Sequence, residues 1–125
     1  MSKDELEKIG DAWVAGVLAE VGTPEYENNL WALEKVTQWA LDEPEMLWPF
    51  VLSTYRREVT AQVLAVLAAG PLEDLLWQCG PDYIDRVEKL AADDAHFNWL
   101  LGGVWQNGIA QDVWSRVVAV RRKVW

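Results

Sequence analysis

The chain holds one cysteine, Cys79, and one histidine, His96. Nucleophilic catalysis needs a nucleophile, a base and a group that orients the base. Cys79 stands just before Gly80, at what reads as a helix end, where the negative pole of the helix disfavours a thiolate. It is read as a small apolar residue. Asp93-Asp94-Ala95-His96 gathers carboxylates and an imidazole, but no second cluster in the sequence completes a metal shell. Asp94 is better read as a helix cap, with His96 in the first turn. Glu73-Asp74 is a carboxylate pair of the kind that acid–base chemistry uses when buried. Adjacent residues on a helix diverge, however, and both fall where a helix start favours negative charge. Gly102-Gly103 lacks the lysine and strand of a phosphate loop. These residue types point away from an enzyme, and no catalytic residue, metal or cofactor is expected.

The elements that must carry these residues read as helices throughout. Gly70-Pro71 and Gly80-Pro81 each look like a stop followed by a restart, since glycine ends helices and proline opens them. Leu72, Leu75 and Leu76 make one apolar stripe between them, and Ile84, Val87, Leu90 and Ala91 make the next. Two short helices joined by a tight corner are expected there. Asp82/Arg86 and Asp85/Lys89 are spaced as helix-supporting ion pairs, and Asp85 is also placed to reach a base on a neighbouring helix. An earlier stripe from Leu6 to Val21 stops at Gly22. Thr23-Pro24 then caps a helix presenting Tyr26, Leu30, Leu33, Val36 or Thr37, and Ala40. Pro49 complicates the start of the helix holding Met46, Leu47, Phe50, Val51 and Tyr55. Thr60 to Ala69, Phe97 to Val104 and Val113 to Arg121 complete the series. No segment alternates as a strand does. The expected fold is all-α, a compact array of about seven or eight short antiparallel helices, with HEAT-like helix pairs suggested by the two Gly-Pro corners.

A chain of 125 residues is the size of one domain, so residues 1–125 are read as a single helical domain. There is no long apolar run, the N-terminus is charged, and one cysteine forms no internal disulfide. A soluble cytoplasmic protein, with no membrane partner, is therefore expected. The net charge is −9 and is unevenly spread. Residues 1–50 hold eleven acids against Lys3, Lys8 and Lys35, whereas residues 101–125 carry four bases against Asp112. An acidic surface repels nucleic acid, and its complement is a basic protein.

Four stretches, "EMLWPFVL", "VLAAGPLEDLL", "GPDYIDRVEKLAADD" and "FNWLLGGVWQNG", are followed by "VWSRV". Together they resemble a family of small bacterial helical proteins of unknown function, with its Leu-Trp-x-Phe, Gly-Pro-Leu-Glu-Asp-Leu-Leu and Leu-Leu-Gly-Gly-Val-Trp motifs. The resemblance covers roughly residues 44–118 and does not extend to the first forty residues. Pro49 departs from its pattern. It implies a bacterial source and a helical fold, and it supplies no activity.

Nine tryptophans remain to be placed. Trp13, Trp99 and Trp114 fall on apolar stripes and are expected in the core. Trp31, Trp39, Trp48, Trp77 and Trp125 fall toward polar flanks or helix ends, where an indole beside carboxylates resembles a binding hot spot. The function expected is protein binding without catalysis, of the immunity-protein or antitoxin type, directed at a basic toxin or another basic protein. The partner-binding residues expected are Glu25, Glu27, Trp31, Glu34, Asp42, Glu43, Glu45 and Trp48. The alternative is an adaptor that forms homo-oligomers through exposed tryptophans. A third reading is a small-molecule pocket between helices, lined by indoles.

Overall fold

The computed structural model describes residues 1–125 and contains helices but no strand. In chain order these are α1 (Lys3–Leu18), α2 (Pro24–Asp42), α3 (Leu47–Tyr55), α4 (Ala61–Leu67), α5 (Glu73–Asp93), α6 (Ala95–Leu101) and α7 (Gln111–Val120). A 3-10 turn, Pro44–Met46, leads into α3, and a π-helical turn, Ala68–Leu72, joins α4 to α5 without a break. The chain therefore makes six continuous helical runs, fewer than the seven or eight expected.

The difference lies at the first Gly-Pro corner, which does not stop the helix, whereas the second divides α5 by a kink, as the sequence implies. Pro71 sits inside the π turn, whose wider loop absorbs a missing N–H and relieves the clash of the ring with the preceding turn. At the second corner Cys79 leaves helical geometry, with φ −133° and ψ 24°, so α5 is two helices meeting at a kink, with Pro81 in the first turn of the second. Other local signals behave as the sequence implies. The Thr23 hydroxyl accepts from the Tyr26 N–H at 3.2 Å. The Thr60 hydroxyl caps α4 in the same way. Pro49 falls in the first turn of α3, where no backbone donor is needed.

One core of 28 buried apolar residues draws on all seven helices. Leu47, Phe50, Val51, Leu67, Leu72, Leu75, Phe97 and Leu100 have no exposed surface, and each contributes about 2 kcal/mol by burial. Trp13 packs edge-on against Phe50 at 5.3 Å, and Trp39 packs on the same ring at 6.0 Å. Trp39, expected at a polar flank, is thus a core residue. The reason is that α2 carries two adjacent apolar stripes. Ala32, Val36, Trp39 and Ala40 form the buried one, while Tyr26, Leu30, Leu33 and Leu41 stay wholly or partly at the surface. α1 also stops at Leu18, earlier than its stripe implies, and leaves Val21 exposed.

Two polar ties hold the outer helices. The Arg57 guanidinium pairs with Asp11 and donates to the Glu7 carbonyl at 2.9 Å, fastening the end of α3 to α1. Arg116 on α7 pairs with Asp85 and with Glu88 on α5, its Nε lying 3.0 Å from Glu88 Oε2. Asp85 thus reaches a neighbouring helix, and no ion pair forms between Asp82 and Arg86 or between Asp85 and Lys89.

Candidate functional site

Around Cys79 and His96 the geometry is that of a scaffold. Cys79 is half-buried and unpaired, and burial, followed by the nearby Asp82 and Glu45 carboxylates, pushes its thiol pKa up. The thiolate is disfavoured there. Asp94 caps α6, accepting from the backbone N–H of His96 at 2.9 Å and of Phe97 at 3.1 Å. Its second oxygen takes the Tyr55 hydroxyl at 2.7 Å. The His96 ring lies 3.2 Å from the Tyr55 carbonyl and stacks on Trp99. Asp94 caps α6 as the sequence implies, and with His96 it also joins the end of α3 to the start of α6, a link the sequence did not signal. No group of three metal-binding side chains occurs.

Glu73 does more than complement a helix dipole. Its carboxylate accepts from the Trp105 backbone N–H at 3.0 Å and from Asn107 Nδ2 at 2.8 Å. It holds the turn in which Asn107 takes a left-handed φ of 40°. Asp74 lies beside it, and burial together with the Glu73 charge raises its pKa. Trp77 covers Gly108 of the same turn, where a side chain would collide with the indole. Trp77 and Trp105 remain 55% and 58% exposed, giving two indoles near one carboxylate-bound turn.

The eight residues expected to bind a partner do not form one patch. Glu25, Glu27, Glu34, Asp42, Glu43 and Glu45 are all exposed. They are spread along α2 and the turn after it, however, and Glu27 and Asp42 stand about 22 Å apart at 1.5 Å per residue. Helical periodicity sets Glu27, Trp31 and Glu34 on one face. Trp31 is 42% exposed and lines an open groove with Asp4, Glu7 and Asp11 of α1, where Lys8 is the one base. These three α1 carboxylates were not among the expected binding residues, although their spacing of three and four puts them on one helix face. Trp48 lies elsewhere. It is half-buried against Tyr83 and Phe97, both at 6.0 Å, and lines a cleft with Arg56, Arg86 and Lys89. None of the six expected acids lines the Trp48 cleft, although Glu45 lies only three residues before Trp48 in the chain.

Trp125 is half-buried. It lies on Gly102-Gly103, where a Cβ at either glycine would overlap its ring, and stacks on Trp99 at 4.7 Å. Fold and surface together define a small all-helical protein with an acidic N-terminal groove and a C-terminal tail locked by tryptophan. Residues 19–124 match a family of unknown function (DUF6869), and the chain belongs to that family. The match takes in residues 19–40, which the sequence motifs left out. No curated protein matches the chain. No solved structure matches it either. No helix is long and apolar enough to cross a membrane.

Proposed function

We propose that the protein is a non-catalytic binding domain of the immunity-protein or antitoxin type, which occupies a basic surface on a toxin or other basic protein. The observation that carries this reading is the groove beside Trp31. An exposed indole lies there with Asp4, Glu7 and Asp11 and shares its α2 face with Glu27 and Glu34. Acids around an aromatic anchor steer a cationic partner and give it an apolar surface to bury. Asp11 is already paired with Arg57, so Asp4, Glu7, Glu27 and Glu34 are the charges free to act. Glu25 adds to the field at the N-terminal end of α2, whereas Asp42, Glu43 and Glu45 mark a separate acidic end. A cytoplasmic location, a single domain and antiparallel, HEAT-like helix pairing go with this reading.

The test begins with low-salt capture on the tagged protein from its bacterial host. The expected partner is one basic protein that is released by salt, toxic when expressed alone and neutralised by co-expression. Its association rate falls as the Debye length shrinks below about 10 Å. Reversing Glu7, Glu27 and Glu34 to lysine weakens that partner by about tenfold or more, with the circular dichroism unchanged. Unchanged affinity rejects the groove as its site.

The alternative, a homo-oligomerising adaptor, is favoured by a different observation, the exposed Trp77 and Trp105 near the Glu73-bound turn. It predicts oligomers that persist in high salt and dissociate in Trp77→Ala/Trp105→Ala, which sedimentation velocity reads directly.

A further inference from the structure

The cleft around Trp48 is basic, in a chain whose net charge is −9. It lies between α3 and the second half of α5 and has a volume of about 260 Å³. Half-buried Trp48, Leu52 and Leu90 line it, with Arg56, Arg86 and Lys89 as its cations and Asp93 as its one acid. Three bases beside an indole are unexpected in a chain of net charge −9.

Their isolation has a structural cause. The ion pairs of the molecule are made by Arg57 and Arg116. Arg116 draws Asp85 and Glu88 toward α7, so the carboxylate four residues before Lys89 is already engaged. Arg86 is held instead over the Tyr83 ring at 4.8 Å, and Tyr83 in turn packs at 6.0 Å from Trp48. Arg56 sits near the Tyr55 ring at 5.5 Å. Each guanidinium lies by a tyrosine ring and neither forms an ion pair with a carboxylate, the state that suits an incoming anion.

We propose that this cleft binds a small amphiphilic organic anion. Its aryl or acyl body would lie on Trp48, Leu52 and Leu90, and its carboxylate, sulfonate or phosphate would sit among Arg56, Arg86 and Lys89. The apolar lining supplies affinity and the cations fix the direction of the ligand. Asp93 permits a single anionic group and disfavours a second one at its end. A polyanion such as nucleic acid is disfavoured by the chain's net charge of −9. This site is independent of the acidic groove, and either can fail without the other.

The experiment is an NMR titration of the full chain, following the Trp48 indole N–H and the backbone of residues 86–90. The probes are naphthalene-1-sulfonate, neutral 1-naphthol and inorganic sulfate, then phenyl phosphate and benzoate to rank the head groups. Naphthalene-1-sulfonate is expected to shift these signals and to bind about tenfold tighter than 1-naphthol or sulfate alone. Lys89→Glu, and separately Arg86→Glu, should remove that preference, leave 1-naphthol binding in place and keep the wild-type melting temperature. Equal binding of sulfonate and naphthol overturns the proposal, as do shifts confined to other residues or an unaltered preference in both variants. Concentration-dependent broadening of the same signals without probe would assign the cleft to a second copy of the chain and overturn it equally.

Discussion

Trp125 donates its indole N–H to the backbone carbonyl of Trp99 at 2.6 Å, and the two rings stack at 4.7 Å with 16° between their planes. The backbone N–H of Trp125 also donates to the Gly102 carbonyl at 3.1 Å. The C-terminal tail is thereby sealed onto α6, and the His96 ring also stacks with Trp99, at 6.2 Å. Gly102 and Gly103 are explained by this seal, because any Cβ at either position meets the tail or the indole.

Trp125→Ala is expected to cost about 1–3 kcal/mol, less than a fully buried tryptophan because its ring is partly solvated. Gly103→Ala should destabilise by expelling the same ring. The two changes act on one contact, so the double variant should lose clearly less than the sum of the singles. Thermal melts of the four proteins measure this, and strict additivity would show that Gly103 serves some other purpose.

Asn98 is the buried polar centre of the same region. Its amide donates to the carbonyls of Ala91 at 3.0 Å and Val120 at 3.1 Å, and its oxygen accepts from the Arg122 N–H at 2.9 Å. One side chain thus binds the ends of α5 and α7 and the start of the tail. Asn98→Ala should cost about 2–4 kcal/mol, since it leaves three backbone groups short of a partner. Asn98→Asp should not rescue, because a carboxylate supplies no donor for two carbonyls. Urea unfolding midpoints of both variants near wild type would remove Asn98 from this role.

The caps at Thr23 and Asp94 were legible in the sequence because each depends on one side chain and the backbone within three residues of it. The second Gly-Pro corner was legible as a kink, but the first was not. Whether a proline ends a helix or is absorbed by a π turn depends on packing, here on buried Pro71 and Leu72. Periodicity likewise placed Val36 and Ala40 on the apolar side of α2 but missed Ala32 and Trp39, which share the buried face with them. The acids of the candidate site were visible as charges. Their grouping was hidden, because it needs the α1–α2 pairing that brings Trp31 to Asp4 and Glu7. Trp125, at the chain end, belongs to no periodic stripe. Its place is signalled only by two glycines that make room for something the sequence does not specify.

Thr54 is fully buried in α3, and its hydroxyl has no hydrogen-bond partner. Burying a hydroxyl without a partner costs free energy that a methyl group of the same shape does not. Thr54→Val is therefore expected to stabilise the protein by about 1 kcal/mol, or roughly 3–5 °C in melting temperature for a chain of this size. A clear loss of stability would mean that the hydroxyl is satisfied in solution.

The Tyr55–Asp94 hydrogen bond makes stability depend on pH in a direction that can be worked out. The Tyr55 hydroxyl, with help from the Phe97 N–H, lowers the Asp94 pKa. A carboxylate with a lowered folded pKa stabilises above its unfolded value, about 4, and the contribution is lost as the pH falls through the folded one. Burial, then the bond to Asp94, raises the Tyr55 pKa. A phenol raised in this way stabilises below its unfolded value of about 10, and that contribution is lost as the pH rises through the folded pKa. The pair therefore acts fully between those limits and weakens on both sides. Asp94→Asn keeps a competent cap for α6 but removes the charge. Tyr55→Phe removes the hydroxyl and keeps the ring, which packs on Phe97 at 5.4 Å. Melting temperature against pH should fall less steeply in acid for Asp94→Asn than for wild type, and Tyr55→Phe should lose part of both the acid and the alkaline dependence. If Asp94→Asn keeps the wild-type acid slope, other carboxylates set the acid limit and this pair serves only to orient α3 against α6.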